Sequence, residues 1–489
     1  QLDKKKKRYH RLWLADKGNV QLHQQYRKVR TQATNMYRRC RNEYFARQCQ
    51  EHSRNPRQIW KVINTVTGRG KQKTEPTCNI EEVANVFHDI VTDPKRPSCL
   101  ASPVGPLPSD SLHTFQPASC SVIYRLLSQV NPAKATGSDG VPGFLLKSCA
   151  EVLTPSVTTL FNLSLKSGAV PAGFKLAAVS PLFKSGDPSQ PTNYRPVSLL
   201  PILSKLLEKL VQRQLVRHLD HTDAIPETQF AFRRQHSTGD ALALLVDQLQ
   251  MARDKKDSSG VCFLDMSKAF DKVRHAIMIQ DCFEIGVGGT VMKWLVSYLT
   301  NRTQQVRIGS ELSNITVCTS GVPQGSVLGP ILFNIYTRAV AAVAHPTPSI
   351  QFADDIALYQ SGSNTATISL GLSSSVTALA DWLENRGLIL NERKSQVLSI
   401  CGRDAQTSIA VNCHQTRLPA CTAAKYLGLT ITEQLTWDHH IHDVTAKVNR
   451  KVGALWRARR SLSQKARVQY LKSVVMPDLL YGSVAYSTS

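Results

Sequence analysis

The chain's 489 residues are too many for one ordinary domain, and its 42% hydrophobic content supplies a large core, yet no run of 18 apolar residues offers a membrane span. Twelve scattered cysteines without a CxxC exclude a secreted disulfide scaffold and fit a reduced, intracellular protein. The net charge of +24 is concentrated: residues 1–73 carry 20 Lys and Arg against four Asp and Glu, a net of +16, and residues 444–467 carry eight Lys and Arg with no acid. Two such blocks point to a polyanion, nucleic acid before an anionic membrane surface, with solvated helix faces as the plain alternative.

From the N-terminus, residues 1–75 read as basic helices with Tyr9, Trp13, Tyr26, Tyr37, Tyr44, Phe45 and Trp60 interleaved. Such aromatics either stack on bases or bury a helix seam. "KKKKR" also has the make-up of a nuclear import signal. "IEEVANVFHDIV" is predicted as a short amphipathic helix, and residues 93–119, with six prolines, as a linker or long loop. From about residue 120 the chain turns globular. "SVIYRLLSQV", "VTTLFNLSLKSG", "PILSKLLEKLVQRQLVRHL" and "DALALLVDQLQMAR" have helical spacing, whereas "AAVSPLF" and "VCFLDMS" have strand character. Ile441, Val444, Val448, Val452 and Leu455 form one apolar helix stripe, with Lys447, Arg450 and Lys451 on other faces. No repeating βα unit appears, so the class is α+β. Cys413, Cys421, His439 and His442 are a candidate zinc set by residue type, although their spacing matches no common finger.

The chemistry is carried by carboxylates. In "VCFLDMSKAFD", Asp265 stands where an apolar strand stops. In "SIQFADDIALY", Asp354 and Asp355 sit between two apolar strands, a hairpin with both carboxylates at its turn. Buried carboxylates are costly unless paired or bound to metal. Three converging on strand ends make a hard-oxygen site suited to Mg²⁺, and two such ions can clamp an in-line phosphoryl transfer.

These residues resemble a known family. "FADD" is similar to the YxDD box of reverse transcriptases, "FLDMSKAFDKVRH" to their first catalytic motif, and "SGVPQGSVLGPILFNIY" to their Pro-Gln-Gly motif. "ATGSDGVP", "VSPLFKSGDPSQPTNYRPVSLLPILSKLLEKLV", "FAFRRQHSTGDAL", "WLENRGLILNERKSQVLSI" and "KYLGLTI" resemble further blocks in the same order. The match is to reverse transcriptases of non-LTR retrotransposons, of the LINE-type, Jockey-like kind. It covers about residues 120–489, and 1–119 more loosely.

The resemblance implies a right-hand polymerase. Residues 1–75 would be a basic helical extension, 76–119 a short helix and linker, 120–430 fingers and palm, and 431–489 a helical thumb cut short at its end. It implies Asp265, Asp354 and Asp355 as catalytic triad, with the Met266 carbonyl a further ligand, for two Mg²⁺ ions or substituting Mn²⁺. Phe270 would bar a 2′-hydroxyl; Gln324 and Gly325 would pack beside the nucleotide. Lys184, Arg195 and Lys394 would meet the triphosphate and leaving pyrophosphate. Tyr426, Leu427 and Gly428 would be the primer grip. Lys447, Arg450 and Lys451 would lie along nucleic-acid phosphates. The partners implied are template RNA, a DNA primer or target, and dNTPs, without a membrane. The chain starts at Gln1 without an initiator Met and is expected to be a piece of a longer polyprotein, in which an endonuclease can stand upstream. The family's action in the nucleus during integration, and in the cytoplasm for RNA binding, follows from the same resemblance. Ala231 and Phe174 depart from the family's usual Gly and Trp. The alternative reading is a catalytically inactive retroelement-derived protein that binds RNA or DNA.

Overall fold

The computed structural model describes residues 1–51, 56–66, 78–93, 103, 105–401, 409–459 and 462–486. The chain divides into two compact units, one spanning Thr74–Thr436 and the other joining Gln1–Lys73 to Trp437–Ser487.

Among the described residues, the Thr74–Thr436 unit holds two five-stranded sheets and three two-stranded ones. One five-stranded sheet is centred on the strand Ser258–Leu264, which pairs antiparallel with Asp355–Gly362 on one side and with Gln396–Ile400 on the other. Ser349–Phe352 extends it as the outer arm of a hairpin with Asp355–Gly362. Val261 and Cys262 are both fully buried, as a strand covered on both faces requires. At Gly260 an added Cβ would lie 2.7 Å from the side chain of Leu372, on the helix Thr365–Asn385, so that helix packs directly on the sheet.

The second sheet pairs Leu176–Phe183 with Tyr194–Leu199 antiparallel and with Arg302–Ile308 parallel. The amphipathic segment forms the helix Ile80–Ile90, capped by the Asn79 side chain on the Glu81 N–H. It buries Val83, Ala84, Phe87 and Ile90 against Ala177, Val179, Tyr194 and Val306 of this sheet. The proline-rich stretch is more than a linker over its last residues: Leu112 exchanges backbone hydrogen bonds with Gly286 and Gly288 (2.8 and 3.0 Å), and Phe115 packs edge-on to Trp294. Residues 94–102 and 104 lie outside the described residues. The region predicted as thumb opens with a strand, Leu429–Thr432, paired with Ala423–Tyr426; helix begins only at Asp438.

The other unit is helical. Leu2–Ala15 and Val20–Glu51 carry the N-terminal charge, and Asp438–Ala458 and Gln464–Tyr470 come from the C-terminal region. Its core gathers Ala454, Leu455, Ala458, Leu462, Ala466, Tyr470 and Val475, with Trp60 stacked on Tyr470 at 5.7 Å. Trp13 stacks on His23 and Tyr26, so these aromatics bury a helix seam, while Tyr37 and Tyr44 are exposed. The apolar stripe holds only in part. Leu455 is buried and Val448 packs on the core, but Ile441 and Val452 are 51% and 39% exposed. Among the described residues, no helix is long and apolar enough to cross a membrane.

Candidate active site

The strand ends bring the carboxylates together. Phe352 pairs with Asp355, leaving Ala353 and Asp354 as a two-residue turn. Leu264 pairs with Ile356, and the same register carried one step further sets Asp265 across from Asp355. Ala353 takes φ +58°, a left-handed conformation unusual for a residue with a Cβ. Two buried glutamines hold it there. Gln229 Oε1 accepts from the Ala353 N–H at 3.3 Å, and Gln351 Nε2 donates to the Ala353 carbonyl at 2.9 Å. Neither glutamine stands out in the sequence, since their roles exist only once the strands pair.

The carboxylates feel one another. Asp354 is pushed above the ordinary range first by burial, then by the charge of Asp265, against the pull of its own backbone and of Arg195. Asp355 keeps a solvent-exposed face, yet enclosure of its carboxyl and the charges of Asp354 and Asp265 push it up to about 6. Crowded oxygen donors that repel one another fit a divalent cation, whose charge relieves the repulsion.

One cleft of about 560 Å³ collects nine of the nominated residues: Lys184, Arg195, Asp265, Met266, Phe270, Gln324, Gly325, Asp354 and Lys394. The same cleft is lined by a cluster of cations. The Lys184 ammonium is pushed down by burial and then by the charges of Arg195, Lys394 and Lys268. Lys268 also lines the cleft, in a left-handed conformation at φ +52°, and was not singled out from sequence. Its place between Asp265 and Phe270 in "DMSKAF" was the available signal. Lys394 is brought in by the turn Asn391–Ser395, where the Asn391 N–H donates to the Asp265 carbonyl (2.8 Å) and Ser395 Oγ accepts from the Asp265 N–H (3.2 Å).

The Phe270 ring is half-buried and stacks on Phe333, centroids 4.3 Å apart and planes 22° off parallel, so its position is fixed from behind. The glycines of "GVPQG" serve close approach to the protein's own backbone. A Cβ on Gly321 would lie 2.6 Å from the Asp271 carbonyl, and one on Gly325 would lie 2.5 Å from that of Ser198. The Gln324 carbonyl accepts from the Ser198 N–H at 2.8 Å, fastening this loop to the second sheet.

The remaining nominated residues lie elsewhere. Tyr426 is buried, its ring 5.1 Å from Phe263 and its hydroxyl 3.4 Å from the Ile350 carbonyl; Leu427 and Gly428 form the left-handed turn of the next hairpin. Lys447 and Lys451 both pair with Asp478, and Lys451 also donates to the Val474 carbonyl, while Arg450 lies exposed on the same helix. Of the zinc candidates, the two cysteines have partners other than each other. Cys413 neighbours His414 and Glu392, and the Cys421 thiol donates to the Val397 carbonyl, because the hairpin at 412–417 folds onto the helix Thr365–Asn385.

Residues 184–431 match the family described as reverse transcriptase (RNA-dependent DNA polymerase). The chain belongs to the reverse transcriptase family. This reverse transcriptase chain is 30% identical over 382 residues to a probable RNA-directed DNA polymerase from transposon X-element of Drosophila melanogaster, covering 75% of this chain and 41% of that protein. It is 28% identical over 430 residues to the RNA-directed DNA polymerase from mobile element jockey of Drosophila funebris, covering 85% and 46%. The chain thus spans less than half the length of the curated relatives it matches. A truncated apo telomerase from Candida tropicalis overlaps 55% of each chain at 14% identity, with a TM-score of 0.39.

Proposed function

We propose that this chain is the RNA-directed DNA polymerase of a Jockey-like non-LTR retrotransposon, extending a DNA 3′ end on an RNA template by target-primed reverse transcription. One observation carries the reading: a single cleft sets Asp265 and Asp354 against Lys184, Arg195, Lys268 and Lys394. Cations and metal-binding carboxylates gathered in one cleft suit a bound metal–triphosphate.

Asp265, Asp354 and Asp355, with the Met266 carbonyl, would hold two Mg²⁺ ions, or Mn²⁺ in their place. When bound, such ions activate the primer hydroxyl and stabilise the leaving oxygen. Lys184, Arg195 and Lys268 bind the phosphates, and Lys394 is the proton donor to the departing pyrophosphate. Phe270, backed by Phe333, excludes a 2′-hydroxyl and so selects deoxynucleotides. The turn at Leu427 and Gly428 grips the primer backbone, with Tyr426 as its buried anchor. The basic helical unit is the thumb together with an N-terminal extension, and it tracks the phosphates of the RNA–DNA duplex. The primer end is a nick in chromosomal DNA, which sets the reaction in the nucleus.

Extension of oligo(dT) on poly(rA) with dTTP and Mg²⁺ tests this. Wild type is expected to extend and Asp354→Ala to fall by a factor on the order of 10³ while still binding the duplex. Equal extension by both proteins would remove the metal assignment. Duplex binding without extension by wild type would favour the inactive, nucleic-acid-binding alternative.

A further inference from the structure

Asp271 is the one carboxylate of the cleft with no part in the scheme above. It is 5% exposed, and it is fixed on every side by its own backbone. Its carbonyl accepts from Ser320 Oγ at 3.1 Å and lies under Gly321, where no Cβ fits. Its N–H donates to the Lys268 carbonyl at 3.0 Å. Its side chain accepts one hydrogen bond from a neighbouring side chain: Gln324 Nε2 donates to Oδ2 at 2.7 Å, and both residues line the cleft. Lys268, Lys184 and Lys272 supply positive charge around it.

An amide side chain has two ends of opposite character, and nothing in Gln324 itself decides which end faces the cleft. Above about pH 7, where Asp271 is ionised, its carboxylate can only accept, so it holds the Nε2 end toward itself. The Oε1 end is then the group Gln324 turns outward.

We propose that Asp271 is a positioning residue for nucleotide selection: its carboxylate orients the Gln324 amide so that a carbonyl oxygen, rather than an N–H, meets the incoming deoxynucleotide, where it accepts from a sugar hydroxyl. The inference rests on the polymerase reading and deepens it. Asp271 touches neither metal nor reacting atoms; it acts through Gln324. Burying a carboxylate is worthwhile here because a neutral partner would leave the amide free to turn over.

The test uses the full chain and single-nucleotide incorporation of dTTP opposite rA, with dTTP–Mg²⁺ binding measured separately by equilibrium dialysis. D271N offers Gln324 a donor as well as an acceptor. It is expected to raise KM for dTTP, and to weaken dTTP binding, on the order of tenfold, the worth of one hydrogen bond to a charged group. The effect falls on KM more than on kcat. Q324E sets two carboxylates face to face and should be worse. The double variant D271N/Q324E restores a donor–acceptor pair of reversed polarity and still turns an oxygen to the cleft, so KM should recover toward wild type. A purely structural role gives no such recovery. Failure of the double variant to improve on Q324E, with all proteins melting normally, overturns the proposal. An unchanged KM in D271N does so as well. Failure of wild type to extend any primer sinks the polymerase reading instead, and dTTP binding by the same variants then decides Asp271 by itself.

Discussion

At Phe270 the proposed function places a chemical choice on a single ring. Its stack on Phe333 leaves it no room to retreat, so only shortening it opens the sugar pocket. Phe270→Ala is expected to raise the incorporation of rUTP relative to dTTP by at least about tenfold, a discrimination of the size steric pockets supply. Competition assays on an RNA template measure it, and an unchanged ratio removes the gate. Asp271 gives a second prediction at this scale. Burial, tempered by Lys268 and Gln324, pushes its carboxyl to about 7, above the ordinary 3.8. The protonated form therefore favours the folded state. That contribution is full below about pH 4 and is lost as pH rises toward 7, at up to about 1.4 kcal/mol per pH unit. Wild type should thus lose stability between pH 5 and 7 relative to D271N, with a level difference above pH 8. A constant difference from pH 5 to 7 in thermal melts would contradict this. Both residues were within reach of a sequence reader in different degrees. Phe270 is legible through the family resemblance, which places an aromatic five residues after Asp265, but the partner of Asp271 is Gln324, 53 positions away.

The elements explain why the site is rigid. The Pro-Gln-Gly loop runs into the helix Gly329–Tyr336, and the N–H groups of the two residues before it need acceptors. Glu208, 1% exposed on the helix Ile202–His221, supplies them: its Oε2 accepts from the Val327 and Leu328 N–H groups at 2.7 and 3.1 Å. Its carboxyl is driven upward by burial and pulled back by those same bonds and by the charge of Arg302. Removing it orphans two buried donors. Glu208→Ala should cost about 3 kcal/mol of stability by chemical denaturation, and Glu208→Gln clearly less, since an amide oxygen still accepts. Equal effects from the two would show that packing volume, not hydrogen bonding, is what matters. The long helix around Glu208 is plain from its apolar spacing. The destination of its one buried acid is not, because it bonds to backbone more than a hundred residues on.

Across the whole molecule, charge is the dominant property. With +24 on the chain and two basic blocks in the helical unit, binding of an RNA–DNA duplex should weaken by about 10³ between 50 and 200 mM salt if some six phosphates are neutralised. Individual cations should separate. Arg450→Ala is expected to lower the salt slope by about 1. Lys451→Ala should chiefly lower the melting point, because Lys451 is half-buried against Asp478 and the Val474 carbonyl. A flat salt dependence counts against phosphate contacts, and a slope change from Lys451→Ala without loss of stability would reverse its assignment.

The sequence by itself determined the mixed α+β class, the strand-end carboxylates Asp265, Asp354 and Asp355, the Pro-Gln-Gly loop and the basic blocks. Those signals are local: periodicity, apolar runs that stop at a charge, and residue types at short spacing. Only the tertiary structure decided where Gln229, Gln351, Lys268, Asp271 and Glu208 lie and which groups they meet. It also turned the tail of the proline-rich stretch into a docked segment and bound Lys451 to Asp478. Each of these depends on which distant strands and helices become neighbours, and a buried polar group takes its meaning from the partner that satisfies it.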